Sequence, residues 1–315
     1  NLTVNGTNYC HALDLFVDTA TCGGSVFLDT AILRMYSGSV ESILRMYAGA
    51  VRPELHADEL TLTNGASFLV CSGVTNGTPK DRGALIAIDT TISVGTNSWI
   101  YPSSHPTNGG SVRFTASYLA VATNGGFNAN GLGYAGRPSS ENSGVGFGPG
   151  RGGAVYLGAG GGYGGMGYDP AGAGGATYGA EEQPLDPGSP GSGDSGGTGL
   201  RGGGLIWIEV NRTFTLNGIL QADGNGVSSV YAGMGSGGGI YLSCRTFAGA
   251  GGSLSAKGGG GTDFAPVMAW LDDLDEMPAC LVYLTDLAGN FGHPPEIPVL
   301  WATLAGVAWY LRAEA

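Results

Sequence analysis

Residues 109–131 read GGSVRFTASYLAVATNGGFNANG, residues 203–224 read GGLIWIEVNRTFTLNGILQADG, and residues 238–258 read GGIYLSCRTFAGAGGSLSAKG. All three share one frame. A glycine pair opens it, a strand of alternating apolar residues follows, then a polar corner and a second strand. Each copy closes on an apolar–polar–Ala–polar–Gly run that places Ala129, Ala222 and Ala256 at the same phase. A partial copy, RGGAVYL at 151–157, echoes RGGGLIW at 201–207. Val112, Phe114 and Ala116 alternate in the first copy, Ile206, Ile208 and Val210 in the second, and Ile240, Leu242 and Cys244 in the third. A strand turns successive side chains to opposite faces, so each trio faces one way. Trp207 and Glu209, like Tyr241 and Ser243, then face the other way. No inward position carries a positive charge. A unit of this length is one coil of a solenoid, which buries little alone and forms a continuous core by stacking. A small residue at a fixed phase, such as the three alanines, suits a narrow interior.

Outward from the repeat, the chain reads as strands. Segments 13–18 (LDLFVD), 24–30 (GSVFLDT), 59–63, 67–71, 84–89, 91–94 and 98–101 are short and rich in β-branched or alternating residues. The heptad ILRMYSG at 32–38 returns as ILRMYAG at 43–49. Leu, Arg and Met favour helix, but the glycines at equal phase predict two strand-and-turn units. Asn-Gly pairs start at Asn5, Asn64, Asn76, Asn108, Asn124, Asn130, Asn217 and Asn225. Asn and Gly both tolerate the left-handed conformation, so each pair marks a tight corner. Between the copies lie glycine-rich excursions at 132–152, 158–202 and 225–237. Two readings stand for them. They are flexible loops leaving one corner, or extended segments packed side by side, since glycine permits close backbone approach. Tyr134, Tyr163, Tyr168 and Tyr178, with Phe147 and Met166, are spaced among these glycines as candidate contacts for a sugar face or a neighbouring protein.

These glycine-pair, Ile-x-Ile and Ala-x-Gly units resemble the repeats of large, glycine-rich, right-handed β-helix surface proteins of bacteria, of the autotransporter-passenger and adhesin type. The likeness spans roughly residues 60–260. It implies an all-β fold, a right-handed parallel β-helix solenoid with long glycine-rich loop excursions. It also implies an exported scaffold, adhesive or structural. Polysaccharide lyases and hydrolases share the solenoid, so the fold alone does not set the function. Residues 1–263 form the expected β-helix and residues 264–315 a C-terminal capping or assembly segment.

Composition narrows the function. Glycine is 61 of 315 residues and charged residues are only 12%. Net charge is −12, with lysine only at Lys80 and Lys257, so the basic stripe of a nucleic-acid binder is absent. The strict triplet period of collagen is missing, as are coiled-coil heptads. Asn1, Asn5, Asn76 and Asn211 open N-x-S/T sequons. The cysteines (Cys10, Cys22, Cys71, Cys244 and Cys280) are odd in number and match no zinc or redox spacing. The chain begins at Asn1 with no Lys/Arg-headed apolar run after it, as expected either of a protein whose signal peptide has been removed or of an excised piece.

Residues 299–311 (VLWATLAGVAWYL) are apolar throughout and carry Trp301 and Trp309 as further candidate contacts. At thirteen residues the run is too short for a stable transmembrane helix, which needs about 20. It reads as a closing element, as a docking element for another subunit, or, with Pro295, Glu296 and Arg312, as a likeness to bacterial surface-sorting tails. Asp272, Asp273, Asp275 and Glu276 form a solvated acidic cluster or a weak Ca²⁺ site of oxygen ligands; no other cofactor is expected.

No catalytic group emerges. Asp14, Asp18, Asp29, Asp89 and Glu209 include no distinctive carboxylate pair. His11, His56, His105 and His293 are widely spaced, and Arg212 and Arg245 share one frame as corner residues. The expectation is a non-enzymatic extracellular or cell-surface structural protein. It would be a self-assembling filament or sheath subunit, forming a homo-oligomer or polymer. An adhesin for a surface glycan is the alternative, and a polysaccharide-degrading enzyme is third.

Overall fold

The computed structural model describes residues 52–75, 81–138, 140–141, 144–153, 158–168, 173–180, 183–193, 197–226 and 232–259, and the backbone of the strands outside those ranges. Sixteen strands form two eight-stranded parallel sheets. The first sheet holds the odd strands: β1 (Leu2–Val4), β3 (Asp14–Cys22), β5 (Ile32–Val40), β7 (Glu54–Leu62), β9 (Arg82–Val94), β11 (Ser111–Val121), β13 (Leu205–Leu216) and β15 (Gly239–Ala248). The second holds the even ones: β2 (Asn8–Cys10), β4 (Ser25–Leu28), β6 (Ile43–Met46), β8 (Ser67–Cys71), β10 (Trp99–Ser103), β12 (Gly126–Asn128), β14 (Ile219–Gln221) and β16 (Ser253–Ser255). The chain thus alternates between the sheets, adding one strand to each per coil. This is the solenoid-like, all-β arrangement that the repeat frame predicts. Two small parallel pairs follow, β17 (Thr262–Asp263) with β19 (Gly289–Asn290) and β18 (Leu281–Thr285) with β20 (Val299–Thr303).

The sequence frame and the strand register coincide. Phe114 stands opposite Ile208 and Ala116 opposite Val210; Ile206, Ile208 and Val210 stand opposite Ile240, Leu242 and Cys244. In the second sheet Phe127, Leu220 and Leu254 align. The repeated ILRMY segments are strands, but they are not successive coils. They are β5 and β6, the two sides of one coil. Segments 84–89 and 91–94 join into one strand, β9, whose burial alternates until it breaks at exposed Asp89 and Thr90. The register shifts at the same place in β7, β11 and β13. The long strand therefore bends there, and its apolar residues face the interior on both arms.

That interior is one cluster running from Met46 through Phe68, Ile86, Phe114, Phe127, Ile208 and Phe214 to Leu220, all at most 1% exposed. Phe114 and Phe127 meet edge to face across the two sheets, with ring centroids 5.2 Å apart, the favoured aromatic geometry. At the corners between long and short strands, Asn64 and Asn124 of the Asn-Gly pairs adopt a left-handed φ of 58° and 59°, and so does Asn97, which precedes Ser98 and carries no Asn-Gly signal (φ 58°). Each turn is closed by a backbone bond: Ala66 N to Thr63 O, Ser98 N to Gly95 O and Gly125 N to Ala122 O. Phe114→Ala removes a fully buried ring and its partner's edge contact. It is expected to lower unfolding free energy by about 3–5 kcal/mol, as measured by denaturant titration.

Candidate functional site: the glycine-rich layer

The described residues of the glycine-rich excursions pack side by side as extended segments. They leave one edge of the stack at successive coils: residues 132–204 between β12 and β13, and residues 223–238 between β14 and β15. At the centre lies 187–193, Pro-Gly-Ser-Pro-Gly-Ser-Gly, every residue of which is buried. Its hydrogen bonds repeat every third residue. Gly188 and Gly191 donate to Gly203 O and Leu200 O (2.7 and 3.1 Å). Ser189 O and Ser192 O accept from Ser236 N and Gly233 N (2.9 and 2.8 Å). Pro190 O accepts from Gly152 N, and Gly193 N donates to Gly144 O. Ser192 N also donates to Ala159 O and Gly188 O accepts from Tyr134 N, so the one segment bonds more than two neighbours, whereas a β-strand has only two edges. Three residues per turn is the period of polyproline II, which makes no internal hydrogen bonds and so leaves every backbone group for its neighbours. Proline presets that backbone at Pro187 and Pro190.

The spacing leaves no room for side chains between segments. A Cβ on Gly191 would lie 2.1 Å from the Gly233 carbonyl carbon, and one on Gly202 2.1 Å from Gly188 O. Serine is admitted where its hydroxyl joins the network. Ala159 N donates to Ser192 Oγ (2.7 Å), Gly150 N to Ser189 Oγ (3.0 Å) and Ser189 N to Ser236 Oγ (2.9 Å). Buried backbone groups without partners would be costly, so these hydroxyls keep the interior of the layer satisfied. The layer is fixed to the solenoid through Leu185, which packs on Leu205, Trp207 and Tyr241. Beneath it Trp207 Nε1 donates to Glu209 Oε1 (2.8 Å), while Arg113 pairs with Glu209 and stacks over the Trp207 ring. Glu209, considered from sequence as a carboxylate that could do chemistry, is tied into this anchor.

The spaced aromatics divide by position. Tyr134 is buried at 8% exposure, its hydroxyl toward Asn108 O (3.4 Å). Tyr178 and Tyr163 meet edge to face at 5.0 Å, and the Tyr178 hydroxyl bonds Ser189 Oγ and Pro187 O. Burial pushes the phenols of Tyr163 and Tyr178 well above their ordinary range. Burial, then the nearby charge of Asp186, pushes Tyr134 up to about 12. Phe147 stacks under the Arg137 guanidinium at 4.1 Å. Tyr168 and Met166 are exposed, at 49% and 41%. They stand at the rim of a groove of about 330 Å³ lined by Gly160, Gly161, Tyr163, Met234 and residues 235–238. Nothing in the sequence separated the inward tyrosines from Tyr168, because a glycine lattice has no amphipathic period to read. The triplet frame of 187–193 was the available signal for the layer's core.

Asp272, Asp273, Asp275, Glu276 and Trp309 lie outside the described residues. Trp301 is on β20, opposite Tyr283 of β18. Among the described residues no three of His, Cys, Asp and Glu converge as a metal site, and no helix is long and apolar enough to cross a membrane. Residues 243–308 match a family model described as a VWA-like domain (DUF2201), a stretch that begins within β15. No curated protein and no solved structure matches the chain.

Two measurements test the layer. Gly191→Ala is expected to destabilise it by about 3 kcal/mol through overpacking. Hydrogen exchange should rise across 186–193 while the strands stay protected. Gly251→Ala, whose Cβ would meet nothing within 4 Å, should leave exchange unchanged. In the alkaline direction, the folded pKa of Tyr134 lies above its unfolded 10.0. The stability it contributes is therefore complete below pH 10.0 and lost as pH rises toward 12. Tyrosinate absorbance should show buried phenols ionising only as the layer opens in that window.

Proposed function

We propose that the chain is an extracellular structural protein, a right-handed β-helix whose copies join end to end in a surface filament or sheath. The observation that carries this reading is a core that, among the described residues, is less buried at one end of the stack. In the coil of β13 and β14, Ile206, Ile208, Phe214 and Leu220 are at most 1% exposed. Their register partners in the last coil of the stack, Ile240, Leu242, Phe247 and Leu254, are only partly buried. The strands that carry them, β15 and β16, are the terminal strands of their sheets. A strand edge and an open apolar section together form a template for another coil. Right-handedness is supported by the chirality of parallel crossovers, which are right-handed in nearly all proteins.

The low charged fraction, the scarcity of lysine and the sequons support a place outside the cell. Negative-stain images of the concentrated protein are expected to show linear particles of regular repeat. Leu254→Lys, which puts a charge into the open section, should shorten or abolish them while circular dichroism retains the β signal. Monodisperse single particles at high concentration would overturn the reading.

A further inference from the structure

We propose that the groove beside Tyr168 is a receptor for an extended, proline- and glycine-rich strand of a partner protein, taken up as one more member of the layer. The walls of the groove are themselves layer segments. Residues 160–168 form one side, 234–238 another, and Ala256 and Gly258 a third. Gly161 N donates to Met234 O (2.8 Å) and so joins two of the walls. Elsewhere in the layer, walls of this kind enclose 187–193, a Pro-Gly-Ser repeat bonded to more than two neighbours. Among the described residues the groove is the same kind of space, open on the outside. Its volume of about 330 Å³ admits a short length of extended chain and no folded element.

The side chains fit such an occupant. Val74, Tyr118, Met166 and Tyr168 are the exposed large apolar residues among the described residues, and two of the four stand at this rim. Tyr163, Tyr168, Met166 and Met234 present flat or adaptable apolar surfaces for proline rings. Aromatic-lined grooves take polyproline II strands because the ligand is already extended and loses little entropy on binding. Among the described residues no charged side chain lines the groove, which favours a neutral segment. A neutral oligosaccharide would need directed side-chain hydrogen bonds. Of the described lining residues, Tyr163, Tyr168 and Ser236 carry hydroxyls; that of Tyr163 is buried, and Ser236 is already committed to Ser189.

The test is a fluorescence-anisotropy titration of the whole chain, at a dilution where it is monomeric, with a labelled peptide repeating Pro-Gly-Ser. Saturable binding is expected, weakened about fivefold or more by Tyr168→Ala and by Met166→Ala. Both side chains are exposed, and circular dichroism checks that the fold is kept. A peptide repeating Ala-Gly-Ser should bind more weakly. Absence of saturable binding at millimolar peptide would overturn the proposal, as would binding that both variants leave unchanged. Binding of a neutral glucan oligosaccharide in place of the peptide, with the same dependence on Tyr168, would overturn it in favour of a sugar site. Because the readout is made on single chains, it stands or falls separately from end-to-end stacking.

Discussion

Everything in this molecule depends on the parallel register between β11 and β13. These strands are neighbours in the sheet but are separated in sequence by the whole first excursion. The backbone holds the two ends of that excursion together: Gly204 N donates to Ala129 O (2.7 Å) and Gly133 N to Gly202 O (2.8 Å). Closing a long loop costs only slightly more than closing a short one. What is costly is ordering its residues, and glycine loses the most freedom of all. A pinned base lowers that cost by starting the packing from a fixed frame. The next coil repeats the device. Gly238 N donates to Ala222 O, and Gly203 N to Ser236 O, so the second excursion is laid directly on the first.

Two kinds of order therefore share one chain. The solenoid is held by apolar burial, with Phe68, Phe114, Phe127 and Phe214 fully buried within it. The layer has almost no apolar core and is held by backbone hydrogen bonds at separations that exclude a Cβ. A net hydrogen bond contributes about 1 kcal/mol and a missing partner costs more, so the layer is stable only if its pairing is nearly complete. Ser189, Ser192 and Ser236 complete it where two backbones alone would not. The tyrosines supply what burial the layer has, and that burial raises the pKa values of Tyr134, Tyr163 and Tyr178.

The solenoid was legible in the sequence because its signals are redundant. The period-two trios, the closing Ala and the Asn-Gly corners all point to the same register, and Ile208, Leu242 and Asn124 occupy the positions they predict. The layer was only half legible. Glycine content alone fits both a flexible loop and a packed lattice, and the difference lies in which backbone meets which, a non-local matter. The ILRMY repeat shows the opposite hazard. It is a true sequence repeat, but it joins β5 to β6 across one coil instead of marking the coil period. Among the candidate contact residues, Tyr134 and Tyr168 have similar glycine-rich neighbours in sequence and opposite exposures in the fold.

A layer of this kind changes what a protein surface can offer. On an ordinary domain, side chains cover the backbone and recognition is between side chains. Here long stretches of the wall are glycine, so a ligand can approach the peptide groups themselves. Peptide groups read shape and period more than residue identity, and a three-residue period accepts only a chain with the same pitch. Specificity must then come from the few side chains at the margin, which are Tyr163, Met166, Tyr168 and Met234. Where charge enters the layer it is taken up by the same packing: Arg201 Nη2 donates to Gly133 O (2.9 Å), and the Arg137 guanidinium lies over the Phe147 ring. A buried ionic group without such a partner would be costly, so the close spacing admits charge at the margins of the lattice more readily than between its backbones.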